Sequence, residues 1–120
     1  PPGHAWARRR SPLTAPALGA AEWVLREEGS GTRSTFERAL GQRPTVALQA
    51  GSTAALLGAV RAGLGPAVVS QRAVDAEVDA GGLVVVPTTL DLERPLTAVW
   101  RKGARLSPAT SALLAVASGG

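Results

Sequence analysis

The residues best suited to chemistry in this 120-residue chain are Ser30, Gly31, Thr32 and Arg33, in the stretch REEGSGTR, and a hydroxyl pair, Ser52 and Thr53. Each group follows a short apolar run and precedes a segment with helical periodicity. Free backbone N–H groups at a helix start, the positive end of the helix dipole and hydroxyl donors together suit an anionic or carbonyl-bearing small molecule. Arg33 would add a planar, bidentate clamp for a carboxylate. The same residue types also serve as helix caps, each typically worth ~1 kcal/mol. Glycines that let a ligand approach the backbone equally permit a tight turn. Composition alone leaves both uses open.

Catalytic sets are missing. His4 is the only histidine and lies near the terminus, so a Ser-His-acid triad would rest on one terminal residue. There is no cysteine for a thiolate metal site, and Asp75, Glu77 and Asp79 fall in a surface-type helix without partner histidines. A phosphate-loop motif and a GxGxxG turn are both absent, Gly63-Leu64-Gly65 matching only a fragment of the latter. No catalytic residue, metal or cofactor is expected, and the chain does not read as an enzyme.

Around these loops the composition is that of one ordinary domain, 45% apolar. With Trp6, Trp23, Trp100 and Phe36 as the only aromatics, the core must be built mainly from Val, Leu and Ala, and nucleic-acid binding by base stacking is poorly supported. The net charge of +4 comes from dispersed arginines, apart from Arg8, Arg9 and Arg10, and reads as a solvated surface. No apolar run approaches the ~20 residues needed to span a bilayer, and Pro1-Pro2-Gly3-His4 does not read as a secretory signal. A soluble, cytoplasmic chain without membrane contact is the expectation.

The elements that must hold the two loops alternate in type. Strands are expected at residues 23–26, 45–48, 66–70, 83–86 and 96–100. Helices are expected at 32–40, stopped by Gly41, at 54–62, closed by Gly63 and Gly65, at 72–80 before Gly81-Gly82, and at 109–117 behind the Ser107-Pro108 start. Strands alternating with helices of this size predict an α/β fold with crossover connections and an about five-stranded, mostly parallel sheet. Both hydroxyl groups then fall at the carboxyl ends of strands, where such sheets bind ligands.

Three pieces, in order, resemble the carboxyl-terminal part of LysR-type transcriptional regulators: REEGSGTR, AVRAGLGPAVVS and RPLTAVWRKG leading into SPAT. The resemblance covers essentially the whole chain. It implies an effector-sensing domain of the type 2 periplasmic-binding-protein architecture, two α/β subdomains with a small molecule held between them. Residues 1–94 would be the second subdomain, and 95–120 the returning strand and last helix of the first. The winged helix-turn-helix of such regulators has no counterpart here, so DNA would be contacted only through that missing domain.

On the wall that is present, the resemblance implies that Ser30, Gly31, Thr32, Arg33, Ser52 and Thr53 face the effector, with Pro66 a further candidate that also shapes its turn. The effector would be small and polar or anionic. Full-length regulators of this type are homo-oligomers whose effector domains pair first subdomain against second. A chain with one of those surfaces is not expected to form that pair, and its last helix, with Leu113, Leu114 and Val116 lacking a partner, should fold back or self-associate. A solute-binding protein of a transport system shares the fold and is the alternative.

Overall fold

Three large apolar residues in a row, Trp23, Val24 and Leu25, make a segment that is stable only when covered on both faces. They form the middle of strand β1 (Glu22–Arg26). The computed structural model describes residues 1–119. The chain passes from a 3-10 turn (Ala5–Arg8) and helix α1 (Ala15–Gly19) through β1 into helix α2 (Gly31–Leu40), strand β2 (Thr45–Ala50) and helix α3 (Thr53–Arg61). A second 3-10 turn (Gln71–Ala73), helix α4 (Asp75–Asp79) and helix α5 (Pro108–Ala117) follow. β1 and β2 pair in parallel from Glu22 opposite Thr45 to Arg26 opposite Ala50, with an irregularity between Trp23 and Val24.

Strand alternation sends the apolar residues of β1 into two cores. Trp23 and Leu25 join Leu13, Leu18, Phe36 and Leu40, the last two one helical turn apart on α2. Val24, fully buried, joins Ala50, Val74, Leu83 and the α3 residues Leu56, Leu57, Ala59 and Val60. Burying a side chain of this size contributes about 1.5–3 kcal/mol, so β1 anchors helices on both sides. An aromatic file crosses the first core: Trp23 lies 4.4 Å from Phe36 and 6.0 Å from Trp6 between ring centroids. Its indole N–H donates to the Leu18 carbonyl at 2.9 Å. Trp100, by contrast, is 53% exposed.

The edge of β1 opposite β2 takes a third segment. The Val24 N–H donates to the Pro66 carbonyl at 2.9 Å, and Ala67 forms a parallel bridge to Val24. Gly65 makes this approach possible, because a Cβ there would lie 2.6 Å from the Glu22 carbonyl oxygen. Farther out, Leu13 bridges Thr88, its N–H donating to the Pro87 carbonyl at 2.8 Å.

The expected five-stranded sheet is corrected at this point. Among the described residues the sheet has two strands. Residues 66–70 contribute a single bridge rather than a ladder. Residues 83–86 bury Leu83 but leave Val84 and Val85 exposed, and the expected returning strand at 96–100 exposes Leu96 at 88% and Val99 at 87%. β-Branched composition makes a segment fit for a strand, but a strand exists only where a neighbour offers hydrogen-bond partners, and no described segment pairs with these two. The helix expected at 72–80 is split at Val74 (φ −123°, ψ −5°) into the second 3-10 turn and α4. The other three expected helices form within a residue of their predicted bounds, whereas α1 and the first 3-10 turn carry too few periodic apolar residues to be foreseen.

The tail extends beyond this body. α5 buries none of its residues, and Leu113 and Val116 are exposed. The radius of gyration of 17.2 Å exceeds the roughly 13–14 Å of a compact chain of this length.

Gly65→Ala forces its Cβ against the backbone of Glu22, where no flexible side chain can give way. A loss of about 1–3 kcal/mol is expected, measured as a lower urea midpoint with an unchanged slope.

Candidate functional site

The carboxyl ends of β1 and β2 bring together the starts of α2 and α3, and with them most of the sequence-predicted candidates. Ser30 is the N-cap of α2 in extended conformation (φ −61°, ψ 127°), and its side chain makes no capping bond. Its hydroxyl is therefore uncommitted. The first intrahelical bond runs from Ser34 N–H to the Ser30 carbonyl at 2.9 Å, so the N–H groups of Gly31, Thr32 and Arg33 have no partner within the helix. Thr35, one turn on, is spent internally, donating to the Gly31 carbonyl at 2.9 Å. Thr32 is half-buried and borders a broad groove of about 1240 Å³ that also touches Pro66, Ser70 and Arg94.

At the α3 start the two hydroxyls are already engaged. Ser52 Oγ accepts from Ala55 N–H at 3.2 Å, a conventional N-cap. Thr53 Oγ1 accepts from Arg26 Nη1 at 3.2 Å. Pro66 uses its carbonyl to hold β1 and lies beside the middle of that strand rather than at its end. Among the described residues the hydroxyls of Ser52 and Thr53 are engaged as acceptors, whereas those of Ser30 and Thr32 make no hydrogen bond, and the N–H groups of Gly31, Thr32 and Arg33 have no partner.

Arg33 does something other than its type suggested. Its Nη1 donates to the Arg26 carbonyl at 3.0 Å and to Gln49 Oε1 at 3.0 Å, and its Nε to Glu37 Oε1 at 2.8 Å. Glu28 lies 3.8 Å away, and the Arg33 side chain is only 10% exposed. The guanidinium thus ties the last residues of β1 and β2 to the first turns of α2, and it holds the loop rather than pointing outward.

Two arginines escaped notice in the sequence. Arg26 forms a two-point fork with its neighbour, Nε to Glu27 Oε2 and Nη2 to Glu27 Oε1, both 2.7 Å. That hydrogen bond, with help from its own backbone N–H, holds the Glu27 carboxyl below the ordinary glutamate range, and it keeps Arg26 still more firmly protonated. Arg94 reaches back to the α2 start, and a Cβ on Gly31 would collide with its Nη1. Among the described residues Arg94, exposed, has no hydrogen-bond or ion-pair partner. A positive group at the positive end of a helix is favourable only with an anion between them. The sequence held one signal for this, a glycine at the first helical position, where a side chain would have blocked the guanidinium.

Among the described residues no group of three or more His, Cys, Asp or Glu side chains is placed to hold a metal ion. No helix among them is long and apolar enough to cross a membrane.

An α/β layer with uncommitted donors at the carboxyl edge of its strands is the architecture of a small-molecule-binding module of the periplasmic-binding-protein-like type. The chain belongs to the LysR substrate binding domain family, whose model matches residues 1–119. It is 40% identical over 118 residues to an uncharacterized HTH-type transcriptional regulator of Mycobacterium tuberculosis, covering 91% of this chain and 37% of that protein. It is 38% identical over 120 residues to the RuBisCO operon transcriptional regulator of Allochromatium vinosum, covering 93% of this chain and 38% of that protein. It is also 37% identical over 119 residues to the HTH-type transcriptional regulator CbbR of Xanthobacter flavus, covering 95% and 36%. The chain thus spans little more than a third of the relatives it matches. The solved regulatory domain of Synechocystis PCC6803 CcmR, in complex with 2-PG, superposes with a TM-score of 0.71 at 24% identity over 96% of this chain and 57% of that one, which establishes the shared fold.

Because Arg33 Nη1 and Nε serve three acceptors in fixed directions, Arg33→Lys cannot replace them. A loss of about 1–2 kcal/mol in stability is expected, read from the urea midpoint. A midpoint equal to that of the unsubstituted chain would show that the guanidinium bonds contribute nothing.

Proposed function

We propose that this chain is the effector-sensing part of a LysR-type transcriptional regulator, and that its ligand is a small polar or anionic molecule bound at the start of α2. The observation that carries the reading is the pairing of uncommitted donors, the hydroxyls of Ser30 and Thr32 and the N–H groups of Gly31 and Thr32, with the guanidinium of Arg94, which lies against Gly31 and has no partner among the described residues. Ser30, Gly31, Thr32 and Arg94 contact the ligand directly. Arg33 positions the loop, Ser52 and Thr53 shape the neighbouring helix start, and Pro66 borders the groove. The relatives, named as HTH-type regulators, support this over a solute-binding protein of transport. Binding would shift a conformational population rather than perform a reaction, so no catalytic role is assigned.

In the longer regulator residues 1–94 act as the second subdomain and 95–120 as the returning strand and last helix of the first. The sheet widens there toward about five strands, because residues 83–86 and 96–100 gain partners. DNA is engaged only through a helix-turn-helix elsewhere in that protein, which works in the cytoplasm as a homo-oligomer.

The decisive measurement titrates Thr32→Val and Arg94→Gln with inorganic phosphate and with 2-PG, the compound bound by the Synechocystis domain. Each substitution should weaken binding about tenfold to a hundredfold, the cost of one hydrogen bond to a charged group, while melting temperature holds. A lower melting temperature with unchanged affinity would instead make the loop a structural turn.

For the chain alone, the uncovered face of α5 should drive self-association. Removing residues 107–120 should therefore lower the weight-average mass in sedimentation at a given concentration; an unchanged mass would count against α5 as the contact.

A further inference from the structure

The fork between Arg26 and Glu27 has three properties that separate it from an ordinary surface ion pair. First, its geometry is that of carboxylate and phosphate recognition: two parallel N–H donors, Nε and Nη2, each 2.7 Å from one oxygen of the same carboxylate. Second, the two partners differ in how firmly they are held. Arg26 is the last residue of β1, its backbone is paired opposite Ala50, and its third donor is fixed on Thr53 Oγ1 at 3.2 Å. Glu27 stands outside the strand, and among the described residues its carboxylate bonds no side chain other than Arg26. It is also the more exposed of the two, 42% against 26%. Third, the fork sits at the carboxyl edge of the paired strands, at the same end of β1 as the loop that leads into α2.

We propose that Arg26 is an oxyanion-binding residue and that Glu27 is its built-in competitor, occupying the guanidinium until an external carboxylate or phosphate group displaces it. The exchange needs only rotation of the Glu27 side chain into solvent. The incoming anion inherits both short N–H donors, while Thr53 continues to hold the guanidinium through Nη1. The competitor sets a threshold: a monoanion that binds through one oxygen cannot match a bidentate carboxylate already in position, whereas a group offering two oxygens can. The pair is partly exposed and bonds no backbone group of β1 or β2, so opening it leaves the strands intact at a small cost in stability. The assignment deepens the effector reading above by adding a second anchoring point, but it is decided by different residues.

The test is a titration of the 120-residue chain with inorganic phosphate, and separately with acetate, following the Arg26 Nε–H resonance and the bound fraction. Glu27→Gln should tighten binding of phosphate, acetate or both by about two- to fivefold, the factor an exposed ion pair of this kind withholds. Glu28→Gln makes the same charge change at the adjacent position and should leave the affinity where it was. Arg26→Lys keeps the charge but loses the fork, and it should abolish the gain when combined with Glu27→Gln; far-ultraviolet circular dichroism checks that each variant is folded. Equal effects of Glu27→Gln and Glu28→Gln would reduce the result to net charge and overturn the proposal. So would a gain that survives Arg26→Lys, or no measurable binding of either anion to Glu27→Gln. The effector wall is read independently: anion binding that depends on Arg94 and Thr32 but not on Arg26 retains that wall and removes this second point, and the reverse dependence does the opposite.

Discussion

The N–H of Val24, bonded to the Pro66 carbonyl at 2.9 Å, fastens a third segment to the edge of β1 that β2 leaves open. With both edges engaged and both faces covered, Val24 is fully buried, and every element that bears on the candidate site is located relative to it. α2 and its aromatic core lie on one face and α3 on the other. The close pass of Gly65 over Glu22 is the steric condition for this arrangement. The two helix starts converge because two parallel strands of similar length end at the same level, which is the general reason such sheets bind ligands at their carboxyl edge.

At that edge three arginines divide the work according to where their acceptors are. Arg33 gives its Nε and Nη1 donors to three protein acceptors and is nearly buried. Arg26 gives two donors to a neighbour that can leave and a third to Thr53. Arg94 faces the start of a helix and lacks a partner among the described residues. Residue type is the same in each case; a guanidinium becomes structural or ligand-directed according to how many of its donors the fold has already used.

Local signals in the sequence were sufficient for α2, α3 and α5, where apolar spacing, N-cap residues and glycine stops agree, and the loop chemistry of residues 30–33 was legible as a place. The family was legible too, because three loop motifs recur in order. What escaped was set by distance along the chain. Residues 83–86 and 96–100 have strand composition, but pairing is a property of two segments, and one segment cannot disclose the lack of the other. Arg94 meets Gly31 across about half the chain, so within REEGSGTR only that glycine hints at it. Arg33 was read as a clamp because its acceptors, the Arg26 carbonyl and Gln49, come together only once β1 and β2 have paired.

The tryptophans divide the molecule optically. Trp23 is enclosed beside Phe36 and the half-buried Trp6, with its indole bonded to a carbonyl, whereas Trp100 is exposed on the segment that leads to α5. Enclosed indoles emit toward the blue and resist aqueous quenchers; solvated ones emit toward the red and are quenched readily. Body and tail therefore carry separate intrinsic fluorophores, and covering the tail with a partner would change the red component while leaving the blue one in place.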